Sequence, residues 1–146
     1  MEIYTIGFTK KSAEDFFASL RRNRIKRLVD VRANNTSQLA GFTKQNDLVF
    51  FLGDLLGADY FHEPLFAPTK ELLKAYRNKS GLTWDEYESD FLDLLSERQV
   101  EVEISRDLFL PRTVLLCSEA TSDLCHRRLV IDYLDGSWGN VQAVHL

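Results

Sequence analysis

No hydrophobic run in the chain exceeds Leu48–Leu52, far short of the roughly 20 apolar residues that a helical membrane span requires. The opening residues, Met1-Glu2-Ile3-Tyr4-Thr5-Ile6-Gly7, also lack the basic start and long apolar stretch of a signal peptide. Both absences lead to the expectation of a soluble, cytoplasmic protein with no membrane partner. Cysteine is scarce, at two of 146 residues. Without a secretory signal the pair is expected to be reduced thiols rather than a disulfide. A basic excess is missing too. The net charge of −4 argues against a general binder of nucleic acid, whose affinity for phosphate backbones depends on clustered Lys and Arg. Internal repeats, low-complexity tracts and interdomain linkers are likewise absent.

What remains is 45% apolar residues, 12% of the chain aromatic, enough to bury a core without disulfides or a structural metal. A single domain spanning 1–146 is expected. Its charge is uneven. Lys10, Lys11, Arg21, Arg22, Arg24, Lys26, Arg27 and Arg32 crowd the first segment, whereas acidic residues from Asp85 to Asp107 dominate a later one. Such runs are mostly solvated helix faces, with an anion-facing edge as the sharper alternative.

Strands and helices alternate along the chain. Glu2–Ile6 reads as a strand ended by Gly7, and Ser12-Ala13-Glu14-Asp15 as a capping box that opens a helix carrying Phe16, Phe17 and Leu20 on one stripe. Ile25–Val31 is the next strand, followed by the polar run Ala33-Asn34-Asn35-Thr36-Ser37. Lys44–Leu56 reads as a helix stopped by a left-handed Gly57, and Ala58–His62 as a third strand. Thr69–Arg77 makes a short helix, and Thr83-Trp84-Asp85-Glu86 is a second capping box, before a helix with Trp84, Tyr87, Phe91, Leu94 and Leu95 on one face. Glu101–Ile104 alternates weakly, as an edge strand does. Thr113–Cys117 is the best buried strand, Asp123–Leu134 a helix and Asn140–His145 a last strand. This order predicts a three-layer, Rossmann-like α/β fold with a mainly parallel central sheet.

The chemistry concentrates in Leu115-Leu116-Cys117-Ser118-Glu119 and Cys125-His126-Arg127-Arg128, where a strand gives way to a helix. Open α/β sheets usually bind ligands in such a crevice. Cys117 is either a nucleophile or an inert buried thiol. Glu119 is either a general base or the salt-bridge partner of Arg127. With Thr121 or Ser122 capping the last helix, Cys125 and His126 fall in its first turns, where the dipole favours an anion and lowers a thiol pKa. Cys125 also shares a face with Leu129, as a packed thiol does. His126 is suited to proton transfer near neutral pH or to a structural bond with a loop carbonyl. Arg127 is a fork for phosphate or carboxylate, and Arg128 points to solvent. Asp30 and Arg32 share one side of their strand while Val31 faces the other, so they position a polar ligand or brace a loop. Gly7 permits a close backbone approach or a plain turn.

These pieces resemble a widespread bacterial and archaeal family known as domain of unknown function 488. The resemblance runs from Tyr4-Thr5-Ile6-Gly7 through Leu28-Val29-Asp30-Val31-Arg32, Phe42, Ala67-Pro68-Thr69-Lys70-Glu71-Leu72-Leu73 and Trp84 with Glu86 and Tyr87, to the Cys-x-Glu and Cys-His-Arg motifs at Cys117 and Cys125. It implies a compact α/β domain and brings no reaction with it. Phe8 departs from the small polar residue or histidine of many members, and the run after Arg32 is richer in asparagine than their proline and serine.

Three sharper chemistries fit less well. Zinc bound by Cys117, Cys125 and His126 lacks the Cys-x-x-Cys pair of zinc deaminases. A phosphatase-like Cys-x5-Arg loop has Asp123 in the arginine's place. In a sulfur-carrying, rhodanese-like loop, Glu119 disturbs the anion cradle. The reading adopted is a small anionic or nucleotide-like ligand bound at the C-terminal edge of the sheet by Gly7, Asp30, Arg32 and Arg127. Cys117, Glu119, Cys125 and His126 are then the candidates for thiol or acid/base chemistry. No metal is assigned, and the residues name no cofactor and fix no oligomeric state. The rival reading is a noncatalytic module that contacts nucleic acid or protein through its basic N-terminal face, with the Cys/His/Arg segment as a structural clasp.

Overall fold

The computed structural model describes residues 1–36, 41–78, 81–119 and 123–146. Five strands, β1 (Glu2–Gly7), β2 (Arg27–Asp30), β3 (Asp59–His62), β4 (Thr113–Cys117) and β5 (Gln142–His145), form one sheet in the order β3-β2-β4-β1-β5. Every pairing is parallel, as expected for strands joined by helical crossovers.

Alternation along the strands divides the core in two, because successive side chains leave opposite faces. Ile3, Val29, Val31, Leu115 and Cys117 pack beneath α4 (Trp84–Glu97), α5 (Val100–Glu103) and α6 (His126–Trp138). Tyr4, Ile6, Leu28, Val114 and Leu116 pack beneath α1 (Ala13–Arg22) and α2 (Gln45–Phe51). The three-layer α/β fold is therefore present. β4 is buried along its whole length, since it lies between β1 and β2 and is covered on both faces, the usual situation of a central parallel strand.

Local signals explain most boundaries. Ser12 accepts the Asp15 N–H, the forward half of the expected capping box, while Thr83 and Glu86 complete both halves at the start of α4. α2 continues as one π-helical turn, Leu52–Leu56, and ends at Gly57 with φ 60°. Thr69 caps α3 (Lys70–Arg77) through the Leu72 N–H.

Two expectations are corrected. The segment expected as an edge strand at Glu101–Ile104 is helix α5. Val100 and Ile104, four apart, are both buried whereas Val102 is 72% exposed, a helical rather than a two-residue period, and Gln99 at φ 52° turns the chain into it. α6 begins at His126 rather than Asp123, because Cys125 is extended (φ −136°, ψ 138°) and turns its thiol inward at the N-cap position. The expected caps Thr121 and Ser122, and Ser37 of the polar run, lie outside the described residues. Among the described residues, no helix is long and apolar enough to cross a membrane.

Candidate functional site

β1 and β4 are neighbours whose connections leave in opposite directions, β1 toward β2 and β4 toward β5, which makes their C-terminal ends the topological switch point. At Gly7 that crevice is already filled. A Cβ there would overlap the Glu119 carbonyl oxygen and stand 2.8 Å from Arg127 Nη1. Arg127, fully buried, donates from Nη1 to the Glu119 carbonyl at 2.6 Å. The expected salt bridge from Arg127 to the Glu119 carboxylate is thus replaced by a bond to the Glu119 backbone, and the Glu119 side chain is left exposed. Gly7 serves a close backbone approach, with protein rather than ligand as what approaches.

The open space lies to one side, toward β2 and under α3. A pocket of about 170 Å³ is lined by Arg32, Asn34, Tyr76, Arg77, Tyr87, Ser118 and Glu119, with Cys117, Cys125 and His126 at its floor. β4 delivers Cys117 at its last residue, and the start of α6 delivers Cys125 and His126. Cys125 Sγ lies 2.6 Å from Cys117 Sγ, and His126 Nδ1 lies 3.6 Å from Cys117 Sγ. The His126 ring is fixed from behind. Its Nε2–H donates to the Val31 carbonyl at 2.7 Å, which leaves Nδ1 to face the thiol. An aromatic ladder along α4 packs edge-on against it, Trp84 on Tyr87, Tyr87 on Phe91, and Phe91 5.5 Å from the imidazole.

This arrangement redistributes one proton. Burial alone pushes the Cys117 thiol up, but the Cys125 hydrogen bond, the charge and hydrogen bond of His126 and the Glu119 backbone override it and hold Cys117 well below the ordinary thiol range. His126 responds in the opposite sense. Burial disfavours its charged form, yet the Cys117 thiolate beside it and the Val31 carbonyl raise its pKa. Burial, and then the hydrogen bond and charge of Cys117, push Cys125 up, so it stays protonated. These shifts all run in one direction, toward negative charge on Cys117 and a proton on His126, with Cys125 as the thiol donor. Arg127 acts from the interior in the other direction, its charge lowering both the His126 and the Cys125 pKa without reversing either shift. A guanidinium keeps its charge, a buried charge needs a counter-charge, and among the described residues no carboxylate pairs with it. Its Nη1 stands 3.8 Å from Cys125 Sγ.

Asp30 and Arg32 form a separate construction on the opposite face. Arg32 Nε and Nη2 grip the two Asp30 oxygens at 2.8 and 2.7 Å, and Nη2 also reaches the Thr43 carbonyl. Tyr60 OH donates to Asp30 Oδ2 at 2.7 Å. Burial, followed by the Asp30 charge, raises the Tyr60 pKa and keeps that donor neutral. With its oxygens committed and no exposure, Asp30 braces the loop after β2. Arg32 remains at the pocket wall, and its guanidinium lies 5.5 Å from the centre of the Phe8 ring.

The structure thus brings Cys117, Glu119, Cys125, His126 and Arg32 to one pocket and leaves Gly7, Asp30 and Arg127 behind its walls. Tyr76, Arg77 and Asn34 are not among the site residues the sequence marks, and Tyr87 figures there in an apolar stripe and in the family resemblance rather than as a site residue. No spacing marks Tyr76, Arg77 and Asn34 for this pocket, because the first two arrive on α3 and the third on the segment after β2.

Cys117, Cys125 and His126 could offer three ligand atoms, all within 4.8 Å of one another. Two thiolates on one tetrahedral zinc, each with Zn–S of about 2.3 Å, stand about 3.8 Å apart. The two sulfurs stand 2.6 Å apart, closer than a shared zinc or an ordinary thiol hydrogen bond holds them, so the contact marks the two thiols as a pair.

No curated protein and no solved structure matches the chain. A family model does, over residues 12–134, from the cap of α1 into α6 and across both Asp30-Val31-Arg32 and the Cys117–Arg127 segment. The chain belongs to the family described as domain of unknown function DUF488.

Proposed function

We propose that this chain is a thiol-dependent enzyme that binds a small anionic substrate in the pocket at the C-terminal edge of the sheet. Cys117 is the nucleophile. His126 holds the thiolate at rest and delivers its proton to the leaving group, and the exposed Arg77 at the wall attracts and orients the anion, while Arg32 is held to that wall by Asp30. Glu119, exposed at the rim, exchanges the proton with solvent. Tyr76 and Leu73, also at the wall, provide an apolar surface for the uncharged part of the substrate. A cytoplasmic setting accords with a reactive thiol kept reduced.

The observation that carries this reading is the 3.6 Å approach of His126 Nδ1 to Cys117 Sγ, with the ring's other nitrogen locked on Val31. Thiolate–imidazolium pairing is what activates nucleophilic cysteines elsewhere. An inert core thiol needs neither a fixed imidazole nor a pocket beside it.

Two alkylating probes of equal size and opposite charge preference test it. A simple thiol reacts faster with neutral iodoacetamide than with anionic iodoacetate. Cys117 is expected to reverse that order at neutral pH, to be protected by excess inorganic phosphate, and to lose the iodoacetate preference in Arg77→Gln. Equal, slow labelling by both probes would overturn the reading.

A further inference from the structure

We propose that Cys125 is the resolving thiol for Cys117, so that a hydroperoxide converts the two into an intramolecular disulfide that a dithiol reductant reverses. The inference rests on the preceding reading of Cys117 as a reactive thiol and adds a second chemistry to the same pocket. Four observations carry it. The two sulfurs are both free and in contact. They are held by the end of a central strand and the N-cap of a helix. Both line a pocket of about 170 Å³, more than the volume of a hydrogen peroxide molecule. His126 stands beside Cys117, where it can give a proton to a departing oxygen.

The steps balance. The Cys117 thiolate attacks one peroxide oxygen, the O–O bond breaks, and the departing hydroxide takes the His126 proton and leaves as water. Cys117 is now a sulfenic acid, and the peroxide has been reduced by two electrons. Cys125 then gives its proton to the neutral His126 and attacks the Cys117 sulfur. The S–O bond breaks as the S–S bond forms, and the second hydroxide takes that proton and leaves as water. Two thiols and one peroxide yield one disulfide and two waters. A dithiol reductant returns the pair by thiol–disulfide exchange.

The charge environment gives the reaction a consequence at the site. The reduced pair carries the negative charge that faces His126, and the disulfide carries none. Oxidation therefore removes the nucleophile and its countercharge together. Tyr87, whose hydroxyl burial and the adjoining sulfurs hold protonated, remains neutral throughout. The pocket is then switched off while the sheet and helices that build it stay in place.

The full-length reduced chain is treated with one equivalent of hydrogen peroxide, quenched with N-ethylmaleimide and weighed intact. The expected product has lost two hydrogens, carries no maleimide, maps to a Cys117–Cys125 link and reverts with dithiothreitol. In Cys125→Ser, Cys117 is expected to persist as a sulfenic acid trapped by dimedone. In Cys117→Ser, peroxide consumption should fall at least tenfold. Two free thiols after peroxide, or a link between chains, overturn the proposal. Iodoacetate labelling of the untreated protein separates the two readings. Normal labelling without a disulfide removes only the resolving role, whereas no labelling and no oxidation remove the nucleophile as well.

Discussion

Gly7 and Glu119 meet backbone to backbone: the Gly7 α-carbon sits against the Glu119 carbonyl with no room for a methyl group, and the Arg127 guanidinium bonds the same oxygen. The glycine is needed for space rather than for a left-handed conformation, as it is not among the residues with positive φ. Gly7→Ala is expected to cost about 1–3 kcal/mol by overpacking, read from urea unfolding. It should also slow Cys117 alkylation, since the displaced Glu119 segment supports the thiolate. Full stability with unchanged labelling would contradict this contact.

The Asp30–Arg32 pair makes a different prediction. Both side chains are almost wholly out of solvent, and removing one partner of such a pair leaves an uncompensated charge, at a cost of about 3–5 kcal/mol. Asp30→Asn is expected to lose stability on that scale in chemical denaturation. Tyr60→Phe, which removes one neutral donor to the same carboxylate, should lose about 1–2 kcal/mol. A ligand-binding aspartate would show the reverse, with folding intact and affinity lost.

The pH dependence of Cys117 follows from its lowered pKa and the raised pKa of His126. Thiolate is lost only as pH falls through the depressed Cys117 value, so alkylation should continue well below pH 8.5, the ordinary thiol midpoint. The His126 proton is lost as pH rises through its elevated value, so steps that need an acid decline on the alkaline side and turnover is bell-shaped. His126→Asn removes the charge beside the sulfur. Its alkylation midpoint should move up by a unit or more, about tenfold in rate at neutral pH. An unchanged midpoint in a folded variant, checked by circular dichroism, would break the pairing.

Glu119 contributes its backbone to the fold and its side chain to the pocket rim. Glu119→Gln is therefore expected to leave unfolding free energy within about 0.5 kcal/mol of the parent while lowering turnover of an anionic substrate. A loss of several kcal/mol would return Glu119 to the role of a structural ion pair.

The layered fold was legible in the chain because its signals are local. Ser12, Thr69 and Thr83 cap helices through oxygens three residues from their donors, Gly57 ends α2 in the left-handed region, and Val114, Leu115 and Leu116 announce a strand buried on both faces. The error at Glu101–Ile104 has the same origin. Four residues with two apolar positions satisfy a strand period weakly, and the decisive partner, Val100, lies one residue outside that window.

Sequence by itself determined the site's ingredients and part of its address. Parallel strands joined by helices must end on one edge, which carries the ends of β2 and β4 together and with them Arg32 and Cys117. Only the tertiary structure decided which of those side chains share a cavity. That depends on the inward turn of an extended Cys125, the lock of His126 on the carbonyl of Val31, the residue after β2 and 95 positions away, and the burial of Arg127 behind the thiols. The physical reason is that charge and proton position are set by distance and burial in three dimensions. No residue spacing encodes the 2.6 Å contact that joins two cysteines eight positions apart.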